Sequence, residues 1–141
     1  MADLTVLINE KITLDGNDRG ILTTHIIPGI NYIDNRTFTI PTGSVTTLFS
    51  LSDTTSAGTF VTSSIQYIRL TNSSTTDTPV KLIVSSSTEA MSYLISTGSS
   101  YMISTSKITG SLTGIVFNDI VSVKAEPSGS AAKLEYFIAT T

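Results

Sequence analysis

With 141 residues, 15.0 kDa and a formal net charge of −3, the chain has the length of one ordinary domain and too little for two cores. It has no cysteine, which excludes a disulfide framework and Cys-based zinc sites. Its eight basic residues stand singly from Lys11 to Lys133, so no cluster is available to neutralise a run of phosphates, and nucleic acid is not an expected partner. Serine (21) and threonine (24) make up about a third of the chain, and valine, isoleucine and threonine sum to 49. β-Branched side chains suit pleated strands better than helices, so the composition predicts an all-β protein. A compact monomer of this mass should expose roughly 7,000 Å². No apolar run is long enough to span a bilayer and no secretory leader is visible, so the expectation is a cytoplasmically made protein with no membrane partner.

In chain order, Leu4, Val6 and Ile8 alternate, and the pattern continues after a shift through Ile12 and Leu14 to a turn at Asp15-Gly16-Asn17-Asp18. A second strand is predicted over 21–27, closed by Pro28-Gly29, and a third over 30–40, where Tyr32, Phe38 and Ile40 share one parity. Pro41-Thr42-Gly43 turns the chain into a half-buried strand carrying Val45, Thr47, Phe49 and Leu51. Residues 52–64 form a long loop that Phe60 and Val61 pin to the core rim. The most strand-like stretch is 65–71, with Ile68 and Leu70 on one face and Tyr67 and Arg69 on the other. After the polar segment 72–79, residues 80–84 pair back as the second arm of a hairpin. Further strands are predicted at 91–95, 101–104, 120–125 and 134–139, and the glycine- and threonine-rich stretch 106–118 has no clear assignment. About ten strands with short connections predict a single-domain antiparallel β-sandwich over residues 1–141, jelly-roll-like, with a small closed barrel as the alternative.

Chemistry-bearing residues are sparse. His25 is the only histidine, sits in a predicted strand, and has no Gly-x-Ser-x-Gly elbow to serve. Ser104-Thr105-Ser106-Lys107 matches Ser-x-x-Lys, and Lys107 to Gly110 resembles Lys-Thr-Gly, but the two are fused end to end in a hydroxyl-rich chain where such matches are expected by chance. Asp15-Gly16-Asn17-Asp18 lacks the alternating oxygens and twelfth-position Glu of a calcium loop. Asn35 and Asn72 head formal glycosylation sequons, meaningful only in a secretory pathway. Tyr67, Tyr93 and Tyr101 read as cross-strand aromatics rather than a stacking platform, and Phe38, Phe49, Phe60, Phe117 and Phe137 read as core. No catalytic, cofactor-binding or metal-ligating residue is assigned, and the chain is not expected to be an enzyme.

The run Ala57-Gly58-Thr59-Phe60-Val61-Thr62-Ser63-Ser64-Ile65-Gln66-Tyr67-Ile68-Arg69-Leu70-Thr71-Asn72, the opening Ala2-Asp3-Leu4-Thr5-Val6, the turn from Gly16 to Gly20 with its Arg19-Gly20 end, and the closing Lys133-Leu134-Glu135-Tyr136-Phe137-Ile138-Ala139 form a recognisable framework. Together they resemble small β-rich virion structural proteins of tailed bacteriophages, of the kind found in marine and freshwater phages. The resemblance implies a capsid decoration (cement) protein, or a head-fibre or tail component such as an adaptor or knob. Its implied partners are a major capsid protein or other virion proteins, and copies of the chain itself, preferably as a trimer. A host-glycan-binding module is the reading from another functional class. Within the virion role, residues 1–10 are either an attachment arm that adds to a partner or a strand whose Leu4, Val6 and Ile8 fill the chain's own core, and the second reading ranks first.

Overall fold

The computed structural model describes all residues except 105–109, 113–114 and 118–119, and only the backbone of Ser63, 110–112 and 115–117. The strands are β1 (Ala2–Glu10), β2 (Thr13–Leu14), β3 (Asn17–Asp18), β4 (Ile21–Ile30), β5 (Tyr32–Ile40), β6 (Thr46–Ser52), β7 (Thr59–Val61), β8 (Ile65–Asn72), β9 (Val80–Ser86), β10 (Ala90–Ile95), β11 (Ser100–Ser104), β12 (Gly110–Leu112), β13 (Ile115–Phe117), β14 (Ile120–Pro127) and β15 (Ala132–Thr140). A single 3₁₀ turn at Thr62–Ser64 is the only helical element among the described residues. β12 pairs with β13, and the uncertain stretch of the sequence otherwise lies largely outside the described residues.

Two sheets form the body, ordered β11-β8-β15-β5 and β10-β9-β14-β6-β7. Eight of these strands follow a rolled-up hairpin, in which the first pairs with the last and the pairing works inward. β5 pairs with β15, β6 with β14, β8 with β11 and β9 with β10, all antiparallel. Rolling then sets β15 beside β8 and β14 beside β9. This connectivity is that of a jelly-roll-like antiparallel sandwich, the class expected from the number of strands and their short connections. β7 extends one sheet by pairing parallel to β6, and Phe60 on it packs edge-on against Phe49 at 6.1 Å, pinning the 52–64 segment to the rim as expected.

The core lies between the sheets, and strand alternation builds it. On β8, Ile68 and Leu70 face inward while Tyr67 and Arg69 lie on the outer face. Leu82 and Val84 on β9, Val123 on β14, and Leu134, Tyr136 and Ile138 on β15 complete the same layer. On β6 both Leu48 and Phe49 are buried, because the ladder to β14 shifts register between Val123 and Lys124 and a bulge turns consecutive residues inward. Val45, expected on that strand, lies just before it and is exposed.

Three expectations need correction. Residues 80–84 do not return as a hairpin on β8, because β8 and β9 lie in opposite sheets. Each has an apolar face, and facing them across the core buries both, whereas an in-sheet hairpin would leave the second sheet short of a strand. Asn72 holds this arch: its fully buried amide donates to the Thr78 carbonyl at 2.8 Å and the Ile95 carbonyl at 3.1 Å. Second, Pro28-Gly29 does not end a strand. β4 runs on to Ile30, and the extra residues form a bulge opposite the Ala2–Leu4 stretch of β1, with Gly29 at φ 80°. Third, of Leu4, Val6 and Ile8 only the first two pack into a core of the chain's own, a second cluster outside the sandwich, and Ile8 is exposed. β1 pairs only with β4, and the two make a separate hairpin.

Candidate docking surface on the hairpin arm

β1 and β4 form a two-stranded arm, extended at its tip by the short β2–β3 pair. Local chemistry closes the tip. Asp15 and Gly16 take positive φ (52° and 78°), which an L residue other than Asn or Asp rarely tolerates. The backbone N–H of Gly20 donates to Asp18 Oδ1 at 2.9 Å, and Arg19 N–H donates to the Ile12 carbonyl at 2.9 Å. Gly20 lies so near the Glu10 carbonyl oxygen that no Cβ fits between them. The sequence Asp15-Gly16-Asn17-Asp18 is therefore a hairpin turn.

Cross-strand register sorts the arm into two faces, because paired residues point the same way. One face carries Leu4 opposite Ile27, Val6 opposite His25, Ile8 opposite Thr23 and Glu10 opposite Ile21. At the root this face lies on the outer side of the four-stranded sheet, where Leu4, Val6, Ile27 and Ile30 cluster with Tyr67, Phe137 and Ala139. Tyr67 and Phe137 meet edge-on at 6.0 Å. Farther out, a groove of about 580 Å³ separates β1 from the sheet and reaches from Asn35 on β5 to Ser100 and Met102 on β11. Arg69 lines it, its Nη2 donating to Glu135 Oε1 at 2.7 Å and its guanidinium 5.8 Å from the Phe137 ring centre.

No described residue covers the opposite face of the arm. It presents Thr5 opposite Ile26, Leu7 opposite Thr24 and Asn9 opposite Leu22. Leu7, Leu22 and Ile26 are 64%, 63% and 58% exposed. None of these six side chains is charged. With Ile8, Ile12, Leu14 and Ile21 nearer the tip, the arm exposes seven large aliphatic residues. They lie on both faces of the arm, with Leu7, Leu22 and Ile26 together on the one that no described residue covers. The whole chain exposes 8505 Å², above the roughly 7,000 Å² of a compact body of its mass, and the projecting arm contributes to that excess.

The structure scatters the other residues singled out in the sequence. His25 is exposed on β4. Ser104 ends β11, and Thr105, Ser106 and Lys107 lie outside the described residues. Asn35 is exposed, whereas Asn72 is wholly buried and cannot accept a glycan in the folded chain. Tyr93 and Tyr101 stack at 4.8 Å where β10 and β11 meet at one side of the sandwich, and Tyr67 lies beneath the arm root. Phe49 is in the core, with Phe38 and Phe60 packed against it, whereas Phe137 belongs to the outer cluster under the arm. The side chain of Phe117 lies outside the described residues. Among the described residues no three His, Cys, Asp or Glu side chains are grouped to hold a metal ion. Sequence reasoning missed the uncovered arm face; the signal present was Leu7, Leu22 and Ile26 standing out of phase with their apolar neighbours. Comparison of the chain with protein-family models, with curated proteins and with solved structures finds no match.

Proposed function

We propose that this chain is a structural, non-catalytic protein of a bacteriophage virion that decorates the capsid, seating its hairpin arm on the major capsid protein and stabilising the shell. The observation that carries this reading is the uncharged, uncovered face of the arm. Interface cores are depleted of charge, and an aliphatic face of this size left in water costs free energy that a partner recovers. Supporting it is the surface as a whole: hydroxyl-bearing side chains lose less on desolvation than ions, which suits a protein packed at many copies against a shell and against itself. A closed cyclic assembly, a trimer by preference, keeps the free sheet edges from uncontrolled pairing. The resemblance of the framework sequences to virion proteins of tailed phages points the same way.

Two measurements test it. Quantitative mass spectrometry of purified particles of the encoding phage should find hundreds of copies; six to a few dozen would move the protein to the tail or a fibre, and none would end the virion reading. The double substitution Leu7→Asp, Leu22→Asp should weaken binding to shells lacking the protein by at least 100-fold while leaving the unfolding midpoint of the free protein unchanged. Unaltered binding would remove the arm from the contact.

A further inference from the structure

A second concave site lies at an open edge of the sandwich, lined by none of the arm's residues. Between β5, the free edge of one sheet, and the β6–β7 edge of the other, the sandwich opens into a cleft of about 380 Å³. That volume lies within the range of small-ligand sites. Its centre is a built polar network. The Tyr136 hydroxyl, on a side chain only 2% exposed, donates to Asp34 Oδ2 at 2.6 Å, and Arg36 Nε donates to Asp34 Oδ1 at 3.0 Å. Asp34 is itself 8% exposed, on the inward face of β5.

We propose that this cleft binds a single neutral sugar ring. Among the described residues Asp34 and Arg36 are the only charged side chains that line it, and their charges balance. A net anion would be opposed by the carboxylate and a net cation by the guanidinium. Each Asp34 oxygen has used one of its two lone pairs and retains an acceptor for a ligand hydroxyl. The terminal nitrogens of Arg36 make no hydrogen bond among the described residues, and the side chain is 62% exposed, leaving a planar pair of donors at the mouth. Acceptors and donors set side by side in this way match the vicinal hydroxyls of a pyranose. Tyr32, 56% exposed at the rim, and Phe60 in the wall offer apolar faces for the C–H side of the ring. Burial and the Asp34 bond both push the Tyr136 hydroxyl well above its ordinary range, so it stays a donor and keeps Asp34 oriented. An inward charge on a free edge strand also deters edge pairing, but that role asks for one charge and leaves the cleft unexplained.

The test is saturation-transfer NMR of the intact protein with methyl glucoside, methyl galactoside and methyl mannoside, with glucuronate and glucosamine as charged controls. At least one neutral glycoside should bind with a dissociation constant of about 1 mM, as expected for one ring. Tyr32→Ala and Arg36→Met, both at exposed side chains, should each weaken it at least tenfold, while the arm substitutions leave it unchanged. Retention on beads bearing a polysaccharide of that sugar identifies a surface glycan as the source, and binding of the free glycoside alone identifies a free sugar; either supports the site. No binding up to about 100 mM, binding of the charged controls only, or binding indifferent to both substitutions overturns it.

Discussion

The sandwich and the arm are made of the same material and live in different surroundings. Leu134 stands in phase with the apolar alternation of β15 and Leu7 out of phase with that of β1, and Leu134 is 0% exposed whereas Leu7 is 64% exposed. In the body, a second sheet stands opposite each apolar face, so burial is completed within the chain. In the arm, one face finds the outer side of a sheet only at the root, and the other meets none of the described residues. Alternation therefore reports that a strand has an apolar face; whether that face serves the chain's own stability or a partner depends on what stands opposite.

The sharpest way to break this contrast is a matched pair of truncations. Leu134→Ala should lower the unfolding free energy by about 2–5 kcal/mol, because it opens a cavity that the sheets cannot collapse. Leu7→Ala should change it by less than about 0.5 kcal/mol in the same urea titration. Equal effects would mean that the arm is part of the cooperative body.

Next in size is the arch between the sheets. Asn72→Ala leaves the Thr78 and Ile95 carbonyls without their donor and removes the acceptor of the Ser74 N–H, and should cost about 1–3 kcal/mol. Hydrogen exchange should quicken at residues 73–79 first.

Alkaline pH sharpens the comparison without any substitution. Tyr101 is pushed up to about 12, chiefly by burial and then by its contact with Tyr93, and Tyr136 is pushed higher still, chiefly by burial and then by Asp34. Below about pH 10 these groups are protonated in both states. Above it the unfolded chain releases their protons while the folded chain holds them, so stability falls as pH rises through the interval from about 10 to 12. Urea midpoints at pH 9, 10 and 11 should decline, and Tyr136→Phe should flatten the decline. The arm contains no tyrosine, and the β1–β4 pairing should be insensitive over the same interval.

The smallest effect on global stability belongs to Gly20→Ala. The new Cβ meets the Glu10 carbonyl and must part the strands at the tip, so exchange protection at Ile21 and Leu22 should drop while the global unfolding midpoint moves by less than about 2 °C. A large fall in the midpoint would show the tip to be coupled to the body.

Much of the fold is legible in the residues. Short alternating runs between Pro-, Gly- and Asp-bearing turns locate β5, β6, β8, β10, β11, β14 and β15 to within a few residues, and the Asp15-Gly16 turn is unmistakable. The partnership of strands is not legible in the same way. Nothing in 72–79 distinguishes an arch from a hairpin except the buried Asn72, whose polar side chain looks like a turn residue until two carbonyls, one of them 23 residues away, are brought to it. Asp34 likewise shares parity with Phe38 and Ile40, and beside the local bond from Arg36 it takes the approach of Tyr136, 102 residues away, to satisfy its second oxygen.

By itself, then, the order of side chains determined that this protein is made of strands, where most strands of the body lie, and which of their faces prefer to leave water, because those properties follow from φ/ψ preferences and a two-residue period. The tertiary structure alone decided which faces meet, that β1 and β4 stand outside the sandwich with one side bare, and that a carboxylate, a guanidinium and a phenol converge at its open edge. Those outcomes depend on pairings between residues far apart in the chain, whose closure is governed by the packing of the whole and not by any local preference.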